Sequence, residues 1–93
     1  MSPEAWTLPW EEAREGLLVH RDRRVVYLNP AAAELLAVDR EKVRGLPLIL
    51  ALRDHRLGAL ALKGGEAVLE VRGRVLAARA RPGLLYLLDV TEA

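Results

Sequence analysis

From Glu66 to Val90 the sequence EAVLEVRGRVLAARARPGLLYLLDV keeps a period of two. Turn signals at Gly73 and Pro82-Gly83 divide it into three strands of about seven residues each. A two-residue turn at Arg72-Gly73 sets the register: Val71 faces Arg74, Leu69 faces Leu76, Ala67 faces Ala78 and Glu66 faces Arg79. One face of this hairpin then carries Ala67, Leu69, Val71, Leu76, Ala78 and Ala80. The other carries Glu66, Val68, Glu70, Val75, Ala77 and Arg79, so the first face is the core face. The third strand, LLYLLDV, is apolar on both sides, which suits a strand in the middle of a sheet with both faces covered. It therefore needs a second neighbour besides its hairpin partner.

The N-terminal third supplies one. Pro9, Trp10, Glu11 and Glu12 place acids where a helix N-terminus favours them, which predicts a short helix up to about Glu15, ended by Gly16. LLVH and VVYLN then flank Arg21–Arg24 as a hairpin, and its first strand is the natural partner of LLYLLDV. Asn29 precedes Pro30; extended geometry before proline and the fitness of proline for the first helical position make Asn29 an N-cap. A helix over 30–37 follows, with Ala32, Leu35 and Leu36 as its apolar stripe. Asp39 caps a further short turn of helix that Gly45 closes, and residues 48–63 read as one or two short helices ending at Gly64-Gly65. The expected fold is α+β: a five-stranded antiparallel sheet, short helices packed on one face, and an N-terminal helical segment. Residues 1–15 are expected to form a helical cap serving dimerisation, and residues 16–93 the domain proper.

Composition narrows the chemistry. The 93 residues suffice for one domain, and folding buries only about 60% of the surface of so short a chain. With 52% hydrophobic and 29% charged residues the composition is globular, and no apolar run approaches the roughly 18 residues a bilayer span needs. The N-terminus lacks the basic flank and small-residue cleavage site of a signal peptide, so a cytoplasmic location is expected. There is no Cys, hence no disulfide or thiolate site, and no metal is expected. Net charge is +1 and basic residues are scattered among acids; the run His20, Arg21, Arg23, Arg24 is broken by Asp22 and lacks interleaved aromatics, so no nucleic-acid partner is expected. One Ser, two Thr and two distant His leave little material for nucleophilic catalysis. The acids fall in runs that read as helix surface. No catalytic residue is assigned, and the chain is read as non-enzymatic.

Taken in order, the elements resemble a PAS domain across residues 16–92. The resemblance is carried by VVYLNPAAAELLAVDREKVRGLPL (25–48) and LLYLLDVTE (84–92), whose order and spacing match strand, turn, strand ending in Asn-Pro-Ala, helix, Asp-Arg-Glu-Lys-Val-Arg-Gly, helices and a closing meander. LPLILALRDHRL further resembles the PAS domains of phosphate-responsive sensor kinases. There are departures. The family commonly has Asp at the end of the first strand and Gly in the first hairpin turn; here those positions read as His20 and Arg23, which argues against a standard Asp-Gly turn. The Gly that often closes the Asn-Pro helix is Ala37.

The resemblance implies a sensory and signal-transmission module of a larger protein, foremost a sensor histidine kinase of a two-component system, with this chain an excised fragment and the effector downstream. In that setting the chain would be cytoplasmic, including as the cytoplasmic part of a membrane-anchored kinase. The alternative is a small-metabolite-binding PAS domain attached to a transcription factor or a diguanylate cyclase. Flavin-binding and chromophore-linked PAS domains need a Cys that this chain lacks. Haem-binding ones use a His on the long helix, but His55 lies in the charged cluster Arg53-Asp54-His55-Arg56 and reads as exposed. No cofactor is expected. A small-molecule ligand between sheet and helices would be lined by Leu36, Val43, Leu48, Ile49, Leu60 and Leu69, in an interior with few polar anchors. The outer sheet face, with Val68, Val75, Ala77, Leu84, Tyr86 and Leu88, is too apolar to stand bare. Trp6, Leu8, Trp10 and Ala13 would cover it in cis or across a two-fold homodimer; otherwise the two Trp close the end of the core. Asp89 or Thr91 would cap a helix leaving at Asp-Val-Thr-Glu, the family's output junction.

Overall fold

The computed structural model describes residues 5–91. Strands β1 (Gly16–Arg21), β2 (Arg24–Leu28), β3 (Gly65–Val71), β4 (Arg74–Arg81) and β5 (Leu84–Asp89) form one antiparallel sheet in the order β2-β1-β5-β4-β3. The two-sided apolar strand β5 is central. It pairs with β4 through its hairpin and with β1, where Leu18 stands opposite Leu85 and Leu17 opposite Tyr86. The β3–β4 register is the one the Arg72-Gly73 turn dictates, down to Glu66 opposite Arg79.

Between β2 and β3 come four short helices: α2 (Pro30–Leu36), α3 (Arg40–Val43), α4 (Leu48–Leu52) and α5 (His55–Lys63). Leu35 and Leu36 of α2, Val43, Leu52 and Leu57 meet Leu18, Leu76, Leu85 and Leu87 of the sheet in one core. Gly16 permits this close stacking, because a Cβ there would stand 3.0 Å from the Cα of Ala32. Ala67 and Leu69 of the predicted core face are half-buried, since β3 is the edge strand. The N-terminal segment, a 3-10 turn (Ala5–Thr7) running into α1 (Leu8–Glu11), lies on the opposite sheet face.

Two local expectations need correction. The N-terminal helix stops at Glu11 rather than near Glu15, and the Asn29 side chain takes the Glu15 carbonyl as well as that of Trp10, each at 2.9 Å. The first hairpin turn is the two-residue Asp22-Arg23. Both residues have positive φ, 52° and 63°, the type I′ requirement met here without glycine. His20 lies inside β1, beside a bulge between Val19 and His20. Arg53 and Asp54 form the turn between α4 and α5: Arg53 closes α4 at φ 52° and Asp54 caps α5, accepting from the Arg56 and Leu57 amides. Ala37 takes the left-handed conformation, φ 56°, in place of the expected Gly.

Candidate functional site

Asn29 is fully buried and every hydrogen-bonding position of its carboxamide is filled. Oδ1 accepts from the amides of Ala32 and Leu17, each at 2.9 Å, and Nδ2 donates to the carbonyls of Trp10 and Glu15. The first of these is the predicted N-cap. The other three tie β1 and the N-terminal segment to the start of α2. The backbone explains the arrangement: Asn29 N–H bonds the Leu17 carbonyl at 3.0 Å, continuing the β1–β2 ladder, while its C=O turns into the helix to accept from Ala33. Oδ1 then substitutes for the carbonyl that Leu17 has lost.

A second clasp lies alongside. Glu11 receives a bidentate pair from Arg40 at 2.8 and 3.1 Å and the hydroxyl of Tyr27, while Arg40 Nε donates to the Leu28 carbonyl at 2.9 Å. The Tyr27 hydroxyl and the Arg40 guanidinium hold the Glu11 carboxyl below its usual range. Burial and the Glu11 carboxylate push the Tyr27 phenol upward. Trp6 meets Tyr27 edge to face with centroids 5.4 Å apart, and Trp10 leans on Tyr86 at 6.0 Å. Leu17 is buried on this face. The two Trp thus cover the β2-β1-β5 half of the outer face, in cis, rather than closing the end of the core. Leu8 points away and is 69% exposed. No sequence periodicity links residues 11, 27 and 40, so this clasp was not legible; the only hint is an acid beside Trp10 in an otherwise apolar segment.

The other half of that face stays bare. Val68, Ala77 and Leu88 form one cross-strand row, with Val68 66% and Leu88 43% exposed. With Glu15, Arg79 and Tyr86 they line an open groove of about 370 Å3. Arg79 stacks on the Tyr86 ring at 4.7 Å.

The C-terminal junction is held to β4. Asp89 accepts the Thr91 amide at 2.8 Å, the i to i+2 geometry of a helix cap, and meets Arg74 at 3.3 Å. Its Thr91 bonds and Arg74 lower its pKa. The Thr91 hydroxyl accepts the Val75 amide at 2.8 Å, and Val90 N–H bonds the Val75 carbonyl. The outgoing helix expected past Glu92 lies outside the described residues, as do residues 1–4 of the expected N-terminal cap. Asp39 caps α3 through the Glu41 amide, as its position predicts.

Of the six ligand candidates only Leu48 and Ile49 line a common depression. Leu36, Val43 and Leu48 are buried in the core, Leu60 and Leu69 pack against its edge, and Ile49 is 54% exposed, since α4 turns Leu48, Ala51 and Leu52 inward and Ile49 out. His55 is exposed at the start of α5. Among the described residues no three His, Asp or Glu side chains gather at metal-binding range, and no helix is long and apolar enough to cross a membrane.

No family model matches the chain, and no curated protein does. Among solved structures it is similar to a domain of an HTR-like protein from Haloarcula marismortui ATCC 43049, at a TM-score of 0.58 and 16% identity, over 85% of this chain and 100% of that one. The likeness is one of fold. With the strand order, the helices confined to one face and the cap on the other, the chain has a PAS-like α+β fold.

Proposed function

We propose that this chain is a non-catalytic sensory and transmission module of PAS type, homodimeric, working within a larger signalling protein, foremost a sensor histidine kinase. The observation that carries the reading is the place of β5. It is the central strand; its Tyr86 receives the N-terminal cap, and its end, Asp89, is tied to Arg74 and turned toward Thr91. A shift of the cap on the outer face therefore has a short, hydrogen-bonded route to the point where an effector helix would begin. The structural neighbour's description as a domain of an HTR-like protein supports a role as one module of a larger protein. Homodimerisation is supported by the bare row Val68, Ala77 and Leu88, an apolar surface that a second copy would cover.

Light scattering at low and high micromolar concentration tests the dimer. Wild type should associate and Val68→Glu should not; a strict wild-type monomer at high concentration refutes it. Relay is tested by fusing the chain to a histidine kinase output. Thr91→Val and Arg74→Ala should alter output without unfolding the domain, and unchanged output from both would exclude the junction as the route.

A further inference from the structure

A second apolar depression lies away from both the outer face and the sheet–helix interior. Between the β1–β2 turn and helices α4 and α5 is an open cleft of about 200 Å3, lined by Arg23, Pro47, Leu48, Ile49, Gly58 and Leu62. Its walls are fixed to one another. Leu48 N–H donates to the Arg23 carbonyl at 2.7 Å, Val25 N–H to the Leu46 carbonyl at 2.9 Å, and Gly45 N–H to the Val25 carbonyl at 2.8 Å.

Two residues here run against local preference, and both choices shape the cleft. Gly58 is buried within the nine-residue α5, where glycine is a poor helix former. A Cβ there would stand 3.1 Å from Cδ1 of Ile49, so glycine lets the Ile49 side chain seat against α5. Arg23 occupies a turn position at φ 63° that favours glycine. Its neighbour Arg24 is engaged with the Gly45 carbonyl at 2.8 Å, whereas the Arg23 guanidinium makes no hydrogen bond or ion pair among the described residues. No acid lines the cleft. The result is an apolar slot whose one charged lining residue, Arg23, has an unengaged guanidinium.

We propose that this cleft binds a medium-chain carboxylate, its hydrocarbon against Leu48, Ile49 and Leu62 over Gly58 and its carboxylate on the Arg23 guanidinium. The slot is smaller than the roughly 300–1,000 Å3 of sites for drug-sized ligands, which limits the guest to one unbranched chain of medium length. A guanidinium suits the head group because it pairs with a carboxylate through two parallel N–H bonds. Occupancy would pin the β1–β2 turn to α4 and α5, and β1 is the direct neighbour of β5. The inference does not depend on the signalling role.

The test is a titration of the isotope-labelled chain with octanoate, followed by amide chemical shifts, with octan-1-ol and acetate as companions. Octanoate should give saturable shifts at Arg23, Leu48, Ile49, Gly58 and Leu62, and bind about tenfold more tightly than either companion, since only it has both tail and charge. Arg23→Gly relaxes the backbone while removing the cation, so it stays folded and should weaken octanoate about tenfold while leaving octan-1-ol unchanged. Gly58→Ala should weaken both. The site is refuted if the shifts fall instead on Val68 and Leu88, if octan-1-ol binds as tightly as octanoate, or if Arg23→Gly binds like wild type.

Discussion

Oδ1 of Asn29 lies 2.9 Å from the amide nitrogen of Leu17, at the point where a continuing strand would offer a backbone carbonyl. Asn29 thus serves both elements that meet at it, as a strand partner for β1 and as the cap of α2. Replacing it removes more than a cap. In Asn29→Ala the Leu17 and Ala32 amides and the Trp10 and Glu15 carbonyls all lose a partner in a buried or half-buried setting. A lost cap alone costs about 1 kcal/mol, whereas buried groups left unpaired cost about 1–3 kcal/mol each before relaxation. Asn29→Ala should therefore destabilise by about 2–4 kcal/mol in urea denaturation. A loss near the cap value would mean that the links to Leu17, Trp10 and Glu15 contribute nothing.

Ala37 and Arg23 hold left-handed backbone that a Cβ disfavours, at φ 56° and 63°. The left-handed conformation costs a non-glycine residue about 1–2 kcal/mol, part of which glycine returns through its more flexible unfolded chain. Ala37→Gly and Arg23→Gly should each raise stability by about 0.5–1 kcal/mol, and the two gains should add, since the sites share no partner. Thermal unfolding of the two single variants and the double variant measures both claims.

These positions also mark where sequence reasoning succeeds and where it stops. The β3–β4 register was legible because alternation and a glycine turn are both local, and a slip of one residue would have exposed Leu76 and Ala78. The central place of β5 was legible from its two-sided apolarity. The first turn was misread because Arg23 stands where glycine usually signals the geometry, so the backbone obeyed the hairpin twist while the side chain gave no sign of it. The extent of the N-terminal helix and the Glu11, Tyr27, Arg40 clasp were hidden for another reason. They join residues from three separate parts of the chain, and neither spacing nor composition records such contacts. The candidate ligand residues are apolar positions of the helices and of β3, a pattern that marks core as readily as pocket; three of the six are core and two pack against its edge.

The Glu11 clasp should make the N-terminal cap sensitive to acid. Its folded pKa is depressed, first by the Tyr27 hydroxyl and then by Arg40, relative to an ordinary 4.5. The stabilisation is therefore complete above that ordinary value and is lost as pH falls through the folded value. Glu11 is 37% exposed at its side chain, so screening limits the effect to roughly 1 kcal/mol. Both Trp residues belong to the cap, which makes intrinsic fluorescence a direct readout. Glu11→Gln should give at neutral pH the emission that wild type reaches only in acid, and should flatten the acid transition. A transition that survives in Glu11→Gln would assign it to another carboxylate.

His20 should act in a separate, higher window. Its Nε2 is enclosed without a hydrogen-bond partner among the described residues, and burial lowers its pKa from 6.5. Above 6.5 the imidazole is neutral in both folded and unfolded chains and adds no pH dependence. As pH falls through 6.5 the unfolded chain takes up the proton first, so it binds more protons than the folded chain and stability declines. The decline ends once pH passes below the folded pKa, where both states are charged. His20→Leu should remove this mildly acidic slope from urea melts while leaving the Glu11 transition at lower pH intact. The converse holds for Glu11→Gln, which should keep the His20 slope. If His20→Leu retains the slope, His20 is not enclosed in solution, and the contact of β1 with the helical side opens more readily than the packing of Val25 and Leu48 implies.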